Sequence, residues 1–215
     1  MSHSVRVFPA LFLGAVLQTQ LITSQAATVI SEALYDAVGA DNGYLFVELY
    51  GAPGSSLAGL SLQGVNGANG QVYQTLNLTG IFSPNGVFVL GDDIGNGTTP
   101  VPNANLIMNF DFQNGPDSIV LKSGSTVLDA LGYDLFGAGD FFAGEGAAAP
   151  GAVAGKSLAR RYANVDTNSN GADFMVLNTP TPGDVMLVPL PGAFGLLLSG
   201  LLVPGYFAWR RTPAC

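Results

Sequence analysis

The sequence predicts an all-β fold, and three observations lead to this prediction. Short apolar runs recur through the middle of the chain, separated by turns rich in Gly, Asn, Asp and Pro, a spacing typical of β-sandwiches and barrels. Residues 44–50 alternate, with Leu45, Val47 and Leu49 on one face and Glu48 on the other. No long segment has the apolar period of a helix. We therefore expect one all-β domain over residues 27–184, flanked by an N-terminal signal peptide and a C-terminal transmembrane helix.

The predicted strands are short runs of β-branched, aromatic and other apolar residues, each bounded by turn-forming residues. They span residues 28–35, 44–50, 57–62, 72–78, 86–90, 106–112, 118–122, 126–131 and 174–177. Ser123-Gly124-Ser125 lies between two of these runs and predicts a tight hairpin. Residues 137–155 are rich in Gly and Ala, so we expect a long mobile loop there. Residues 179–184 contain two prolines and a glycine and should end the domain, followed by a linker and sorting motif over 185–191.

The first 26 residues contain the parts of a signal peptide. Arg6 supplies a positive charge, and residues 7–16 form an apolar run. Ser24-Gln25-Ala26 places small residues at the third and first positions before a signal-peptidase cleavage site. Cleavage after Ala26 would leave a mature chain beginning at Ala27, although Ala27 also suits the last position of the peptide. A first core strand and a retained membrane anchor are the alternatives.

The C-terminal residues contain three parts in a fixed order. The motif Val188-Pro189-Leu190-Pro191 comes first, 18 residues without a charge follow at 192–209, and Arg210 and Arg211 come next. An apolar helix of this length rises roughly 27 Å, close to the hydrocarbon thickness of a bilayer. The two arginines should hold residues 210–215 on the cytoplasmic side, because positive charge beside a span resists translocation. A buried helix of a soluble domain is the alternative.

This tail resembles the PEP-CTERM sorting signal of Gram-negative bacteria, with Leu190 at the position where glutamate is commonest. The resemblance implies recognition by an exosortase, a membrane transpeptidase-like enzyme that would cut near residues 188–191. Signal peptidase would act at the other end of the chain. Together the two ends predict an exported protein, first a membrane-anchored precursor in the cell envelope and then a domain at the cell surface or outside the cell.

Composition narrows the function of the exported part. All 15 acidic residues and only four of the seven basic residues fall within 27–187, a net charge of −11, which repels nucleic acid. The single cysteine is Cys215 and the single histidine is His3, so both lie in the predicted terminal signals. A mature domain without them has no disulfide, no His- or Cys-ligated metal and no Cys-His or Ser-His-Asp nucleophile. We therefore expect no enzyme and no cofactor, with calcium as the one possible metal.

Three constellations of polar residues are candidate sites. The first is a run of alternating oxygen-bearing side chains like the start of a calcium loop, formed by Asp166, Asn168, Asn170 and Asp173. An EF-hand would need glutamate where Leu177 stands, so this run is not an EF-hand. A simpler calcium site and a hydrogen-bonded Asx turn are the two remaining interpretations. Arg160 is expected to pair with Asp166 or Asp173, with anion recognition as the alternative. The third constellation consists of Asp92, Asp93 and Glu48, which could supply the paired carboxylates of a glycoside hydrolase. We favour the alternative that these residues are solvated charges in loops.

Pieces of the middle region, taken in order, resemble the lamin tail domain, an immunoglobulin-like β-sandwich. The matching pieces begin at Val29-Ile30-Ser31-Glu32 and continue through Phe46-Val47-Glu48-Leu49-Tyr50, Leu57-Ala58-Gly59-Leu60-Ser61-Leu62, Gly86-Val87-Phe88-Val89-Leu90, Asp117-Ser118-Ile119-Val120-Leu121, Val127-Leu128-Asp129, Ser157-Leu158-Ala159-Arg160, Asp166-Thr167-Asn168, Asp173-Phe174 and Pro180-Thr181-Pro182-Gly183. Leu60-Ser61 stands where the family commonly has tryptophan.

This resemblance implies a non-catalytic interaction or anchoring module. We therefore expect a structural or adhesive protein of the envelope or extracellular matrix, whose partner is a cell-surface polysaccharide or protein. A carboxylate-dependent enzyme acting on extracellular polysaccharide and a calcium-dependent adhesion module are the alternatives.

Overall fold

A computed structural model of the chain describes residues 27–188. The elements of this part are ten strands and one four-residue helix. In chain order they are β1 (Val29–Leu34), β2 (Phe46–Tyr50), β3 (Leu60–Asn66), β4 (Val72–Asn77), β5 (Val87–Asp92), β6 (Ala104–Met108), β7 (Asp117–Ser123), β8 (Thr126–Tyr133), β9 (Ser157–Arg160), α1 (Asn170–Asp173) and β10 (Phe174–Leu177).

The strands form two sheets. One sheet has six strands in the order β10-β9-β1-β2-β5-β6, and the other has four in the order β4-β3-β7-β8. Neighbouring strands are antiparallel except β5 and β6, which run parallel. The described domain is therefore all-β, as the sequence predicts, and its two-sheet arrangement is that of a β-sandwich.

The main core consists of side chains that both sheets direct inward. The six-stranded sheet contributes Ile30, Leu49 and Leu90, and the four-stranded sheet contributes Leu62, Ile119 and Leu131, all fully buried. The apolar face predicted for β2, with Leu45, Val47 and Leu49, belongs to this core and is confirmed. Alternation along the strands produces this arrangement because successive side chains point to opposite faces of a sheet.

The outer face of the six-stranded sheet is also buried. Phe46, Val87 and Val89 form a second apolar cluster there with Leu34 and Val101. Residues 178–188, which we call the C-terminal strap, cross this face, and Val185 packs against the cluster. Central strands β1, β2 and β5 are consequently buried almost throughout, although strand alternation alone would leave one face for solvent.

The outer face of the four-stranded sheet is partly covered by the Gly- and Ala-rich loop. Ala143 of this loop packs against Val65, Val120 and Ala130. Loop residues 137–155 contain no strand or helix, as predicted, but their backbone is hydrogen-bonded to the domain at several points, including Phe141 N–H to the Gly67 carbonyl at 2.6 Å. The loop is thus a covering layer, a role that its composition did not suggest.

Most predicted strands occur near their expected positions, with three differences. The run expected at 57–62 begins as a strand only at Leu60, because Gly59 adopts a positive φ of 85° in the preceding turn. The run expected at 106–112 ends at Met108, because its partner β5 ends at Asp92. Residues 157–160 form β9, which was not among the predicted strands.

The predicted terminal segments fall largely beyond this region. Signal-peptide residues 1–26, motif residues 189–191, the apolar stretch 192–209 and the basic end 210–215 lie outside the described residues. Between residues 27 and 188 no helix has the length and apolar character needed to cross a membrane.

Candidate functional site

Buried charge concentrates around Arg160 on β9. Its side chain is fully buried and lies among the carboxylates of Asp129, Asp166 and Asp173, with Glu145 beside Asp129 and Asp166. We call these five residues the arginine cluster. They come from β8, the Gly- and Ala-rich loop, β9 and the segment around α1, so the fold brings together parts of the chain that are distant in sequence.

The contacts of Arg160 use all three nitrogens of its guanidinium group. Nη2 donates to both oxygens of Asp129 at 2.9 and 2.8 Å, and Nη1 donates to Asp173 Oδ2 at 3.0 Å and Asp166 Oδ1 at 3.3 Å. Nε donates to the Ile30 carbonyl at 3.0 Å. The guanidinium carbon also lies 4.7 Å from the centre of the Phe174 ring, a cation–π distance. The predicted pairing of Arg160 with Asp166 and Asp173 is confirmed, and Asp129 is its most buried partner.

Glu145 is the member of the cluster with spare hydrogen-bonding capacity. Its Oε2 atom is buried without a hydrogen-bond partner, and one oxygen each from Glu145, Asp129 and Asp166 lies within 4.8 Å of the other two. Burial, followed by the negative charges of Asp129 and Asp166, raises the pKa of Glu145 to about 7. A proton or a cation between these oxygens would relieve the repulsion.

The four residues predicted to bind calcium accept hydrogen bonds from the domain at several of their side-chain oxygens. Asp166 Oδ1 accepts from the Asn168 N–H at 3.0 Å, which is the Asx turn that was the alternative interpretation. Asp173 accepts from the Thr167 N–H and hydroxyl at 3.0 and 2.7 Å. Asn170 is fully buried, and its side-chain oxygen accepts from the Gly132 and Glu145 N–H groups at 2.8 and 2.9 Å. Of the two aspartates in this set, Asp166 but not Asp173 belongs to the group of carboxylate oxygens that lie close enough together to hold a metal ion.

A second group of carboxylates lies under the C-terminal strap. Glu32 of β1 and Glu48 of β2 are direct cross-strand neighbours, and both side chains point to the outer face of the six-stranded sheet. Together with Asp184 of the strap they line a cavity of about 200 Å³, which we call the strap pocket. Glu32 and Glu48 are only 1% and 0% exposed.

Both oxygens of each glutamate accept hydrogen bonds from neutral donors. Glu32 accepts from the Ser157 hydroxyl at 2.5 Å and from the Thr181 N–H and hydroxyl at 2.9 and 2.8 Å. Glu48 accepts from the Ser31 hydroxyl at 2.6 Å and the Gly183 N–H at 2.6 Å. Burial raises the pKa of Glu48 to about 7, opposed in part by these bonds and increased by the nearby charges of Glu32 and Asp184. Burial also raises the pKa of Glu32.

The expectation of solvated loop charges is wrong for Glu48 and Asp92. Asp92 is 1% exposed and accepts from the N–H groups of Phe110, at 2.9 Å, and of Gly43. Asp93 alone is a loop charge, and it accepts from three N–H groups of the following turn, those of Gly95, Asn96 and Gly97. The sequence could not distinguish these adjacent aspartates because one belongs to a strand end buried in the sheet and the other to the turn.

Glu32, Asp129 and Glu145 were not among the candidate site residues. A signal for two of them does exist in the sequence, because Glu32 and Asp129 interrupt otherwise apolar strand runs, VISEAL and TVLDALGY. An acid in such a run must be buried with a partner or lie on a solvated face. Neither the partner nor the face follows from the run itself.

A scan against models of known protein families, a search of curated proteins and a search of solved structures each found no match to this chain. The class of protein that the described residues define is therefore the one their fold gives, an all-β domain of two packed sheets with buried carboxylate clusters.

Proposed function

We propose that this protein is an exported, non-catalytic structural or adhesive module of the bacterial envelope or extracellular matrix. Its domain would be an immunoglobulin-like sandwich of the lamin tail type. A signal peptide would direct its export, and an exosortase would process its PEP-CTERM tail. Its partner would be a cell-surface polysaccharide or protein, and its surface charge disfavours nucleic acid.

The observation that carries the proposal is the state of the buried acids. In five of the six buried acids, Glu32, Glu48, Asp92, Asp129 and Asp173, every carboxylate oxygen accepts a hydrogen bond from the domain itself. In the sixth, Asp117, Oδ1 accepts from the Gly67 N–H and Oδ2 has no partner among the described residues. Carboxylates so engaged hold strands, turns and the strap together. Because general acid or base catalysis needs a carboxylate that can reach a substrate, this arrangement favours a binding role.

Mass spectrometry of the protein recovered from cells and from the medium tests the proposal. We expect a mature N-terminus at Ala27 or one residue later and a C-terminus near residues 188–191. The same measurement detects any attached sugar. Recovery of an intact Phe207-Ala-Trp-Arg-Arg segment would refute processing of the tail, and recovery of the first 26 residues would refute export by this signal.

A calcium-dependent adhesion module is a second candidate, favoured by the oxygens of Asp129, Glu145 and Asp166 within 4.8 Å of one another. Calcium binding would raise the melting temperature in proportion to the logarithm of its concentration, as any ligand of the folded state does. Glu145→Gln should abolish that rise, and Asp140→Asn, an exposed acid elsewhere in the same loop, should preserve it. No rise and no binding heat for the wild-type chain would exclude this candidate.

A polysaccharide-acting enzyme is a third candidate, favoured by the strap pocket, where Glu32 and Glu48 share a cavity and the pKa of Glu48 is about 7. A raised pKa is what the general acid of a glycoside hydrolase requires. The test is release of reducing sugar from envelope polysaccharide by the wild-type chain and by Glu48→Gln. Equal, background-level release from both would exclude this candidate.

A further inference from the structure

The C-terminal strap is attached to the sheet chiefly through the two glutamates of the strap pocket. Thr181 donates its N–H and hydroxyl to Glu32, and Gly183 donates its N–H to Glu48. Between these residues the Pro182 carbonyl accepts from the Asn103 side chain at 2.8 Å. Three consecutive strap residues are therefore held by side chains of the sheet and of the segment before β6.

Charge in the strap pocket is unbalanced. Its lining includes three carboxyl groups, Glu32 from β1, Glu48 from β2 and Asp184 from the strap. Arg160 from β9 is the one basic residue among the lining residues, and its guanidinium nitrogens bond to Asp129, Asp166, Asp173 and backbone carbonyls. The elements that pack here otherwise contribute hydroxyl groups or apolar side chains, those of Ser31, Ser157, Ala159, Leu177, Val185 and Met186.

Ionisation strengthens the hydrogen bonds that Thr181 and Gly183 donate, but burial outweighs this gain, so the net effect disfavours the closed strap. Two costs account for this. Two neighbouring buried carboxylates repel each other, and each loses the hydration that an exposed carboxylate has. Opening the strap would restore water to both groups and move Asp184 away. Protonated carboxyl groups carry neither cost, and each keeps an oxygen that accepts from the strap while its own O–H can donate.

The strap leads directly to the predicted sorting motif. After Gly183 the Met186 carbonyl accepts from the Ala163 N–H at 2.8 Å. Val188, the first residue of the motif, then forms two hydrogen bonds with the Asn164 side chain, which accepts from its N–H at 2.9 Å and donates to its carbonyl at 3.0 Å. Ala27 and Asn164 line one small cavity, so the first described residue also lies at this site. Both ends of the domain therefore leave it from the same place, and the motif begins where the strap is fixed.

We propose that the strap is a proton-controlled latch on the sorting motif. With Glu32 and Glu48 protonated it stays closed and holds Val188 against Asn164, and ionisation of the pair opens it and frees Val188 for the processing enzyme. The second half of this inference rests on the proposed function, whereas the first half concerns the domain alone.

Hydrogen exchange of the full-length chain in detergent micelles tests the latch. Protection of the peptide covering residues 178–188 is measured by mass spectrometry from pH 6 to pH 8.5 and corrected for the intrinsic exchange rate. We expect its opening equilibrium constant to rise at least about tenfold over this range. A factor of ten corresponds to a pKa that is higher by about one in the closed strap than in the open strap, for a single group. Glu48→Gln retains an acceptor but cannot ionise, so its opening constant should rise much less with pH, by the contribution of Glu32 alone.

Two controls keep the test specific. Glu145→Gln removes another carboxyl group whose pKa is about 7 but which does not line the strap pocket, so its strap should respond to pH like the wild type. Asp184→Asn changes an exposed strap residue and should reduce the response without removing it. Three outcomes would each overturn the latch. They are strap protection that does not change with pH in the wild type, a pH response in Glu48→Gln equal to that of the wild type, and loss of protection in β7 in parallel with the strap.

The outcome separates the latch from the proposed function. If the strap opens with pH but both termini of the recovered protein are intact, the sorting proposal fails and the latch stands. If the tail is removed but strap exchange is independent of pH, the latch fails and the sorting proposal stands.

Discussion

In the arginine cluster a guanidinium group lies among four carboxyl groups, whereas in the strap pocket the two glutamates accept hydrogen bonds only from hydroxyl and backbone N–H groups. Both sites are in the same domain, and both contain fully buried acids. Asp129 has a cation at 2.8 Å, and Glu48 has a serine hydroxyl at 2.6 Å. The difference shows that a buried acid can be accommodated by an opposite charge or by neutral donors.

The two solutions have different consequences. Burial raises the pKa of Asp129, and the charge of Arg160 opposes that rise. The ion pair also joins β8 to β9, so removing the cation should damage the fold at any neutral pH. A carboxyl group among neutral donors instead makes the folded state depend on pH. Arg160 and Asp129 are therefore expected to form a structural centre, whereas the strap pocket is expected to titrate.

Arg160→Met should produce the largest effect, because it leaves Asp129 and Asp173 buried without their cation. We expect the free energy of unfolding at pH 7 to fall by about 3–5 kcal/mol, the usual cost of breaking a buried ion pair from one side. Urea denaturation followed by circular dichroism measures it. Arg161→Met, at the exposed neighbouring position, is the control and should change stability by less than about 1 kcal/mol. Similar values for the two variants would show that the cluster does not hold the sheets together.

Glu48→Gln should change the dependence of stability on pH. The pKa of Glu48 is about 7 in the folded chain against 4.5 in an unfolded one, so the folded state holds a proton that the unfolded state has released. Its contribution to stability is complete below pH 4.5 and is lost as the pH rises through about 7. We expect the wild-type free energy of unfolding to fall by about 2 kcal/mol more than that of Glu48→Gln between pH 5 and pH 8.

Urea midpoints of both chains at pH 5 and pH 8 measure this difference. Glu145→Gln is the matched comparison in the arginine cluster. Its pKa is also raised to about 7, but the residue is only half-buried, so solvent should make its effect on the pH dependence smaller. Parallel pH curves for the wild type and Glu48→Gln would remove the distinction between the two sites.

Thr181→Val should give the smallest effect. It removes the hydroxyl that donates to Glu32 but preserves the N–H bond and the shape of the side chain. We expect a loss of about 1 kcal/mol in the free energy of unfolding at pH 6, the usual contribution of one hydrogen bond. Thr179→Val, at an exposed position of the same strap, is the control and should have no measurable effect. Equal midpoints for the two variants would mean that the bond between Thr181 and Glu32 does not stabilise the strap.

Much of the fold could be predicted because strand and turn signals are local. The alternation of Leu45, Val47 and Leu49 indicated which face of β2 enters the core, and Ser123-Gly124-Ser125 indicated the hairpin between β7 and β8. The pairing of Arg160 with Asp166 and Asp173 could also be predicted, because basic residues are scarce in the domain and a buried one needs acidic partners. The burial of Asp92 and Glu48 was missed, since no local signal reports what covers a strand's second face.

By itself the sequence determined the all-β class, the order of most strands and the absence of Cys and His from residues 27–188. Only the tertiary structure decided which acids are buried together. Asp129 and Arg160 are separated by 31 positions, and Thr181 lies 149 positions from Glu32. The physical reason is that side-chain periodicity acts over neighbouring residues, whereas the charge and hydration of a carboxyl group depend on the sheets, loops and strap that enclose it.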